Sequence, residues 1–384
     1  MKTRPLASSL ALALGLEIVG LAGCGGPAFS ATGTDGGIDA ADGADATDAA
    51  DSTSPTDVGD SSSAADVADS QDDASVRFAT VTTVASVPAG GAGRGIALYD
   101  DRVFWADQDG TGTGAVWAAL KNGKGVPIPV AIAQPNPVEV AADSTSVYWS
   151  VAPSSISSCL AWSRDKSGKF ASNCVTSGPY TTSRMTLYGT YLVILATGAS
   201  ATANPYLGYA PTGGGTFTSI QTAGPGVAMA ATEGNVFVSD GQHVDAFSFT
   251  ALNMEPNVCT MTCGTQPIVD MILDASGSNL LWATADGNVY VAPLVQAHAM
   301  GTLVGTITAR PQRLARDSKY VYVTSAAQGT VSALPLVSVG PGPAMPVPIA
   351  QGESAPFGIA VDAENVYWTN DDGMVRAVGV PSGP

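Results

Sequence analysis

Apolar positions in this sequence form short runs that recur at an almost constant interval. The clearest copy covers residues 354–380 and reads SAPFGIAVDAENVYWTNDDGMVRAVGV. In this copy one apolar strand ends at Asp362, a second covers residues 366–369, and an acidic turn leads into a third. Runs of this length, bounded by Asn, Asp and Gly, predict antiparallel strands joined by tight turns.

Seven copies of this unit align on the strand that carries the Tyr-Trp pair. The aligned positions are Trp105, Trp149, Val193, Val238, Trp282, Val323 and Trp368. They are separated by 44, 44, 45, 44, 41 and 45 residues. Four short antiparallel strands in each repeat of about 44 residues are typical of a propeller blade. The pattern therefore predicts an all-β fold, a seven-bladed β-propeller with four-stranded antiparallel blades.

The two ends of the repeat region indicate how the ring closes. The last copy stops after its third strand at Val380, and an extra strand, residues 79–85, precedes the first copy. We therefore predict that this N-terminal strand becomes the outer strand of the last blade. Such an arrangement joins the two ends of the domain and leaves no open seam.

The strands are apolar on both faces, as expected of blades that each pack between two neighbours. Four Trp residues share one phase of one strand: Trp105, Trp149, Trp282 and Trp368. Their common phase predicts burial between blades, and an aromatic row that binds a ligand is the alternative. Four Asp residues close the first strand of a copy and are predicted to accept hydrogen bonds from the next turn. They are Asp143, Asp274, Asp317 and Asp362.

The sequence Tyr-Trp-Thr-Asn at residues 367–370 resembles the Tyr-Trp-Thr-Asp repeat of low-density-lipoprotein-receptor propellers. The repeat is also similar to NHL repeats and to bacterial lactonase and lyase propellers. The resemblance covers residues 77–384 and implies a propeller. Asn replaces Asp in this copy, three copies lack the Trp, and the receptor propellers have six blades rather than seven.

The first 23 residues have the pattern of an export signal. Lys2 and Arg4 precede an apolar stretch, residues 6–21, which only Glu17 interrupts. No other stretch reaches the ~18 apolar residues that a transmembrane helix needs.

The sequence Leu-Ala-Gly-Cys that ends at Cys24 resembles the lipobox of bacterial lipoproteins. This resemblance implies that residues 1–23 are removed and that Cys24 is lipidated, whereas an ordinary secretory signal is the alternative. Gly25 after the Cys resembles lipoproteins sent on to the outer membrane. We therefore expect an exported protein of the cell envelope, on its periplasmic or surface side, that contacts the membrane through its lipid anchor only.

Residues 24–76 contain twelve Asp and neither Lys nor Arg. Such a segment has too little apolar surface to offset the entropy of ordering it. We predict a disordered acidic tether between the anchor and the propeller at residues 77–384, with calcium binding by the Asp residues as the alternative. These Asp supply most of the net charge of −17, which argues against nucleic-acid binding.

The other four cysteines lie in two close pairs. Cys159 and Cys174 flank a hairpin-like loop, and Cys259 and Cys263 are four residues apart. In an exported protein these cysteines most simply form two disulfides.

Candidate catalytic and metal-binding residues are few. The two histidines, His243 and His298, lie in different repeats and on no predicted inner strand, so neither a Ser–His–Asp arrangement nor a histidine-dependent lyase is indicated. Acidic turns such as Asp286-Gly287 are expected hairpin turns, because Gly tolerates positive φ. They lack the spaced oxygen ligands of a dedicated calcium loop. We predict no cofactor, with calcium at these turns as the alternative.

One position differs in charge from copy to copy. The residue before the apolar pair of the inner strand is Gly95, Glu139, Arg184, Ala228, Asp270, Arg313 and Gly358. Inner strands line the channel of a propeller, so the four charged members are predicted to surround its mouth. They are candidate ligand-binding residues, and a self-neutralising channel lining is the alternative.

Together these features predict a non-catalytic binding or scaffold module for a protein, a peptide or a glycan. The alternative function is a metal-dependent hydrolase or lyase of the lactonase-like propeller type. For that chemistry Glu139 and Asp270 are the only carboxylates predicted at the channel.

Overall fold

The computed structural model describes most of the repeat region. The described residues are 80–87, 91–152, 159–165, 173–177, 180–198, 206–222, 226–232, 234–248, 259–262, 266–294, 301–336 and 342–381. The predicted signal, Cys24 and the tether lie outside them, as do Cys263 and His298. Within these residues no helix is long and apolar enough to cross a membrane.

In the described part of the chain, twenty-eight strands form seven sheets of four. The first strand of the chain is β1 (Thr82–Ser86). Blade 1 contains β2 (Ala92–Tyr99), β3 (Arg102–Gln108), β4 (Gly114–Leu120) and β5 (Ile128–Ala131). Blade 2 contains β6 (Pro137–Ala142), β7 (Ser146–Val151), β8 (Cys159–Asp165) and β9 (Asn173–Ser177). Blade 3 contains β10 (Tyr180–Tyr188), β11 (Tyr191–Gly198), β12 (Tyr206–Pro211) and β13 (Thr218–Gln221).

The remaining blades repeat this pattern. Blade 4 contains β14 (Ala228–Ala231), β15 (Asn235–Ser239), β16 (His243–Ser248) and β17 (Cys259–Thr262). Blade 5 contains β18 (Ile268–Leu273), β19 (Asn279–Thr284), β20 (Asn288–Pro293) and β21 (Thr302–Thr306). Blade 6 contains β22 (Arg313–Arg316), β23 (Tyr320–Ser325), a 3₁₀ turn (Ala326–Gln328), β24 (Thr330–Pro335) and β25 (Val347–Gln351). Blade 7 contains β26 (Ile359–Val361), β27 (Asn365–Thr369) and β28 (Met374–Gly379) together with β1.

The sheets close into a ring. Consecutive strands pair antiparallel in every blade, and the first strand of each blade contacts the first strands of the blades on both sides. These seven strands are therefore the innermost ones, as the sequence predicts for a seven-bladed β-propeller.

The predicted closure by an N-terminal strand is confirmed. The strand β1 pairs antiparallel with β28, from Thr82 opposite Ala377 to Ser86 opposite Met374. It spans residues 82–86 rather than the predicted 79–85, and a register shift lies between Thr83 and Ala85. The outer strand of blade 7 thus comes from the opposite end of the domain.

Seven buried apolar clusters fill the seven interfaces between neighbouring blades. The four Trp residues at the aligned position are at most 1% exposed, so the prediction that they are packing residues is confirmed. Each shares a cluster with an aromatic residue of the preceding blade, in the pairs Trp105–Tyr367, Trp149–Phe104, Trp282–Phe237 and Trp368–Tyr322.

The Asp residues that close the first strands hold the following turns. Asp143 Oδ1 accepts hydrogen bonds from the backbone N–H groups of Thr145 (2.7 Å) and Ser146 (2.8 Å), and its Oδ2 accepts one from the Tyr148 hydroxyl (2.8 Å). Asp274, Asp317 and Asp362 accept similar backbone hydrogen bonds. The predicted turn role of these residues is therefore confirmed. In blade 2 the same Asp also accepts the hydrogen bond of the Tyr hydroxyl that precedes the Trp.

In blade 7 a buried carboxylate accepts the hydrogen bond of the Trp indole N–H. Glu353 Oε2 accepts hydrogen bonds from Trp368 Nε1 (2.9 Å) and Asn370 Nδ2 (2.6 Å), and its Oε1 accepts one from Arg376 Nη1 (3.0 Å). In blade 1 the equivalent side chains are Trp105 and Asp107. Trp105 Nε1 and Asp107 Oδ1 are buried and have no hydrogen-bond partner.

The unpaired Asp107 is expected to make stability depend on pH. Burial, assisted by repulsion from Asp109, raises the pKa of Asp107 from 3.8 to about 6, although Arg94 acts in the opposite direction. The folded protein therefore holds this proton more tightly than the unfolded chain does. As a result, stability contributed by the protonated carboxyl is lost as the pH rises from about 4 to about 6.

The variant Asp107→Asn copies blade 7, where Asn370 occupies the equivalent position. Near pH 7.5 we expect it to raise the free energy of unfolding by about 2 kcal/mol relative to the parent, and near pH 4 by much less. Urea unfolding at both pH values measures the difference. Asp101→Asn, at an exposed turn of the same blade, is the control and should show no such pH dependence. A gain for Asp107→Asn that is equal at both pH values would contradict the account.

Candidate functional site

The charged positions predicted at the channel all lie on innermost strands, within the first three residues of β6, β18 and β22 and in the middle of β10. In blades 1, 2, 3 and 5 a register shift marks this position, between Gly93 and Ile96, Pro137 and Val140, Thr182 and Arg184, and Ile268 and Asp270. Bulges of this kind redirect side chains away from a regular ladder. Glu139, Arg184 and Asp270 all lie within or directly after such a shift.

The structure brings the four predicted charges together. Arg313 Nη2 is 2.8 Å from Glu139 Oε1, and Arg184 Nη1 is 3.7 Å from the same oxygen. Arg184 Nε is 3.7 Å from Asp270 Oδ1. We call Glu139, Arg184, Asp270 and Arg313 the channel cluster.

The channel cluster joins blades that are not neighbours. Glu139 belongs to blade 2 and Arg313 to blade 6, whereas Arg184 of blade 3 reaches past blade 4 to Asp270 of blade 5. Blade 4 contributes the small Ala228 at this position. The ion pairs therefore cross the channel rather than only line its wall.

Backbone groups hold two members of the channel cluster in place. Arg184 Nη2 donates to the Val269 carbonyl (3.1 Å) and Nη1 to the Ser183 carbonyl (3.2 Å). Asp270 Oδ2 accepts a hydrogen bond from the Leu314 N–H (2.8 Å), which ties blade 5 to blade 6. Burial lowers the pKa of Arg184, and repulsion from Arg313 adds to this effect. The attraction of Asp270 and Glu139 opposes it, and a guanidinium stays protonated at neutral pH in any case.

Glycine at two of the seven positions has a packing reason. A Cβ atom at Gly95 would lie 2.7 Å from Glu139 Cα, and one at Gly358 would lie 2.3 Å from the Arg94 carbonyl oxygen. Any larger residue there would push adjacent inner strands apart. Close packing therefore excludes a charged residue from this position in blades 1 and 7.

Phe357 is a site residue that the sequence comparison missed. Its ring lies beneath two guanidinium groups, with Arg313 Cζ 4.7 Å and Arg94 Cζ 5.1 Å from the ring centroid. Arg94 in turn pairs with Asp371 (Nη1 to Oδ1, 2.7 Å). The sequence does contain a signal for this residue. The position just before the compared one is Phe357 in blade 7 and Arg94 in blade 1.

A cavity of about 450 Å³ opens at this end of the channel. Arg184, Arg310 and Arg313 line it, together with Gln312, Phe357 and several apolar residues. No Asp or Glu is among the lining residues. We call it the channel-end cavity, and its volume lies in the range of small-molecule sites.

The structure also locates the remaining candidate residues. Cys159 and Cys174 form a disulfide between β8 and β9, with their Cα atoms 5.7 Å apart, as predicted. The pairing of Cys259 with Cys263 stays a prediction, because Cys263 lies outside the described residues. His243 begins the third strand of blade 4 and contacts Asp240 (Nδ1 to Oδ2, 3.2 Å), away from the channel. Among the described residues, no three His, Cys, Asp or Glu side chains lie close enough together to hold a metal ion.

The comparisons with known proteins show similarity in fold only. No protein-family model matches the sequence, and no curated protein matches it. The structure is similar to virginiamycin B lyase from Staphylococcus aureus, with a TM-score of 0.60, 10% identity, and coverage of 79% of this chain and 100% of that one. A catalytically inactive histidine-to-alanine variant of that lyase, with quinupristin, matches with a TM-score of 0.60, 11% identity and the same coverage.

The computationally designed Ika8 protein is also similar, with a TM-score of 0.50, 12% identity, and coverage of 78% of this chain and 99% of that one. At such identities the similarity shows that the chain is a β-propeller. A fold shared at this level does not carry activity from one protein to another.

Proposed function

We propose that this protein is an exported, lipid-anchored propeller that binds its ligand in the channel-end cavity. It acts as a binding or scaffold module for a protein, a peptide or a glycan rather than as an enzyme. The export signal in residues 1–23, the lipobox ending at Cys24 and the acidic tether of residues 24–76 support the anchored part of this proposal.

The channel cluster beneath the cavity is the observation that carries the binding role. Its four side chains are only 9–17% exposed. Burying ion pairs commonly costs more stability than packing apolar residues of similar volume. A channel needed only for packing is filled more simply by small residues, such as Ala228 of blade 4. The charged residues therefore favour recognition at this end.

A self-neutralising lining explains part of the arrangement, because Glu139 and Asp270 both contact arginines. It does not explain Arg310, a third arginine that lines the cavity. It also does not explain why every charged group lining the cavity is positive. These features support ligand binding over a lining alone.

The alternative is a metal-dependent hydrolase or lyase, and one structural neighbour is a lyase by name. Glu139 and Asp270 are the channel carboxylates available for it. Glu139 Oε1 already contacts both Arg184 and Arg313, and Asp270 contacts Arg184 and the Leu314 N–H. A metal would have to displace these guanidinium groups, so the geometry supports binding more strongly than metal-assisted chemistry.

A fragment screen tests the proposal. A library of anionic, neutral and cationic fragments is examined by ligand-observed NMR against the parent domain and the charge-balanced variant Arg313→Ala/Glu139→Gln. Removing both partners together avoids leaving a buried unpaired charge. We expect fragments that bind the parent to compete with one another and to bind the variant at least about tenfold more weakly, the scale of losing charged hydrogen bonds.

The matched control is Arg102→Ala, at the first residue of β3 and outside the cavity, which should leave all binding unchanged. Thermal melting confirms that each variant is folded. The proposal is overturned if no fragment binds the parent, or if the fragments bind all three proteins equally.

A further inference from the structure

We infer that the ligand of the channel-end cavity is a carboxylate with a single negative charge and an apolar body. This inference rests on the proposed function and specifies its ligand. It follows from the charge balance at the cavity, from the state of Arg310 and from the apolar walls.

The cavity has one positive charge in excess. Three arginines line it, namely Arg184, Arg310 and Arg313. The carboxylates of Glu139 and Asp270 pair with two of these arginines from outside the lining. Arg94 nearby is balanced by Asp371. A ligand with one negative charge would complete this balance, whereas a dianion would create a new excess.

The excess charge belongs to Arg310. This exposed residue precedes β22 and makes no hydrogen bond or ion pair with any part of the chain that the structure describes. Pro311 follows it, which restricts the backbone of Arg310 to extended conformations. A guanidinium that is free of partners offers its paired N–H groups to a carboxylate, the anion whose geometry it matches.

The walls of the cavity call for an organic ligand. Val138, Val227, Ile268, Val269 and Phe357 all line it. Because Arg94 and Arg313 both contact the Phe357 ring, this aromatic wall is held in place. A small inorganic anion would leave the apolar surfaces in contact with water, whereas an apolar group attached to the carboxylate would cover them.

Matched pairs of probes test the inference by isothermal titration calorimetry. The first pair is 4-phenylbutyrate and 4-phenylbutanamide, and the second is N-acetyl-alanyl-phenylalanine and its C-terminal amide. We expect each acid to bind the parent domain at least about tenfold more tightly than its amide, since a charged hydrogen-bonded pair is lost in the amide. Tighter binding of the peptide acid would identify a peptide C-terminus as the ligand type, in agreement with the proposed function. Tighter binding of phenylbutyrate would identify a free organic acid and would replace the protein, peptide or glycan ligand of that function.

Variants of Arg310 test whether this residue causes the preference for the acid over the amide. Arg310→Gln should remove the preference for acid over amide, and Arg310→Lys should retain part of it because the charge remains. Arg102→Ala should behave as the parent. The inference is overturned if acid and amide bind equally, or if Arg310→Gln keeps the full preference. In either case the proposed function survives if that binding is lost in Arg313→Ala/Glu139→Gln, and absence of any binding overturns both.

Discussion

A domain that starts at residue 88 instead of residue 77 is expected to lose its cooperative thermal transition. The deletion removes β1, whose residues Val84 and Ala85, like Val87 just after it, are at most 6% exposed in the interface between blades 7 and 1. Each buried valine is worth about 1.5–3 kcal/mol. The deletion also turns β28 into an open edge strand. The total approaches the 5–15 kcal/mol that typically separates folded from unfolded domains.

Point variants keep this prediction testable if the truncated domain does not fold. Val84→Ala should lower the free energy of unfolding by about 2 kcal/mol, whereas Thr83→Ala, at an exposed position of the same strand, should change it by less than about 0.5 kcal/mol. A synthetic peptide of residues 79–87 should restore a transition to the truncated domain. Deleting residues 26–76 should leave the melting temperature unchanged. A truncated domain that melts like the full one would contradict the closure role.

The second large effect is expected at Arg184, which contacts both carboxylates of the channel cluster. Arg184→Met should lower the free energy of unfolding by about 3 kcal/mol. The reason is that Asp270, with a side chain only 9% exposed, loses its charged partner, whereas Glu139 keeps Arg313. Urea unfolding at pH 7.5 measures the difference.

The double variant Arg184→Met/Asp270→Asn separates loss of charge from loss of packing. An Asn oxygen can still accept the hydrogen bond from the Leu314 N–H, and no unpaired charge remains. We therefore expect it to recover more than half of the stability lost in Arg184→Met. If Arg184→Met is as stable as the parent, or if the double variant recovers nothing, the ion pairs across the channel do not have the role described.

Much of the fold could be predicted because the same pattern of strands and turns occurs in seven copies, so each copy supports the interpretation of the others. The Trp spacing sets the number of blades, and the unfinished last copy requires a strand from elsewhere, which β1 supplies. The aligned Trp residues share one phase, so their burial between blades follows from strand geometry alone. The exact start of β1 could not be predicted, because it depends on pairing with a strand almost 300 residues away.

The candidate site was only partly predictable. The repeat alignment placed Glu139, Arg184, Asp270 and Arg313 at one end of the channel, because equivalent positions lie at equivalent heights on the inner strands. It could not show that Glu139 pairs with Arg313 and Arg184 with Asp270 across non-neighbouring blades. The reach of these side chains depends on local bulges and on the small residues of the blades that contribute no charge. Phe357 and Arg310 lie at neighbouring positions that do not follow the charge pattern, so only the three-dimensional structure connects them to the site.

A crystal structure of the domain soaked with 4-phenylbutyrate would show directly whether the channel-end cavity binds a carboxylate at Arg310. We expect density for the carboxylate beside Arg310 in the channel-end cavity, with the phenyl group against Phe357 and the channel cluster unchanged beneath it. Density for the probe only at other places on the propeller, or an empty cavity at concentrations that saturate binding in solution, would contradict this expectation.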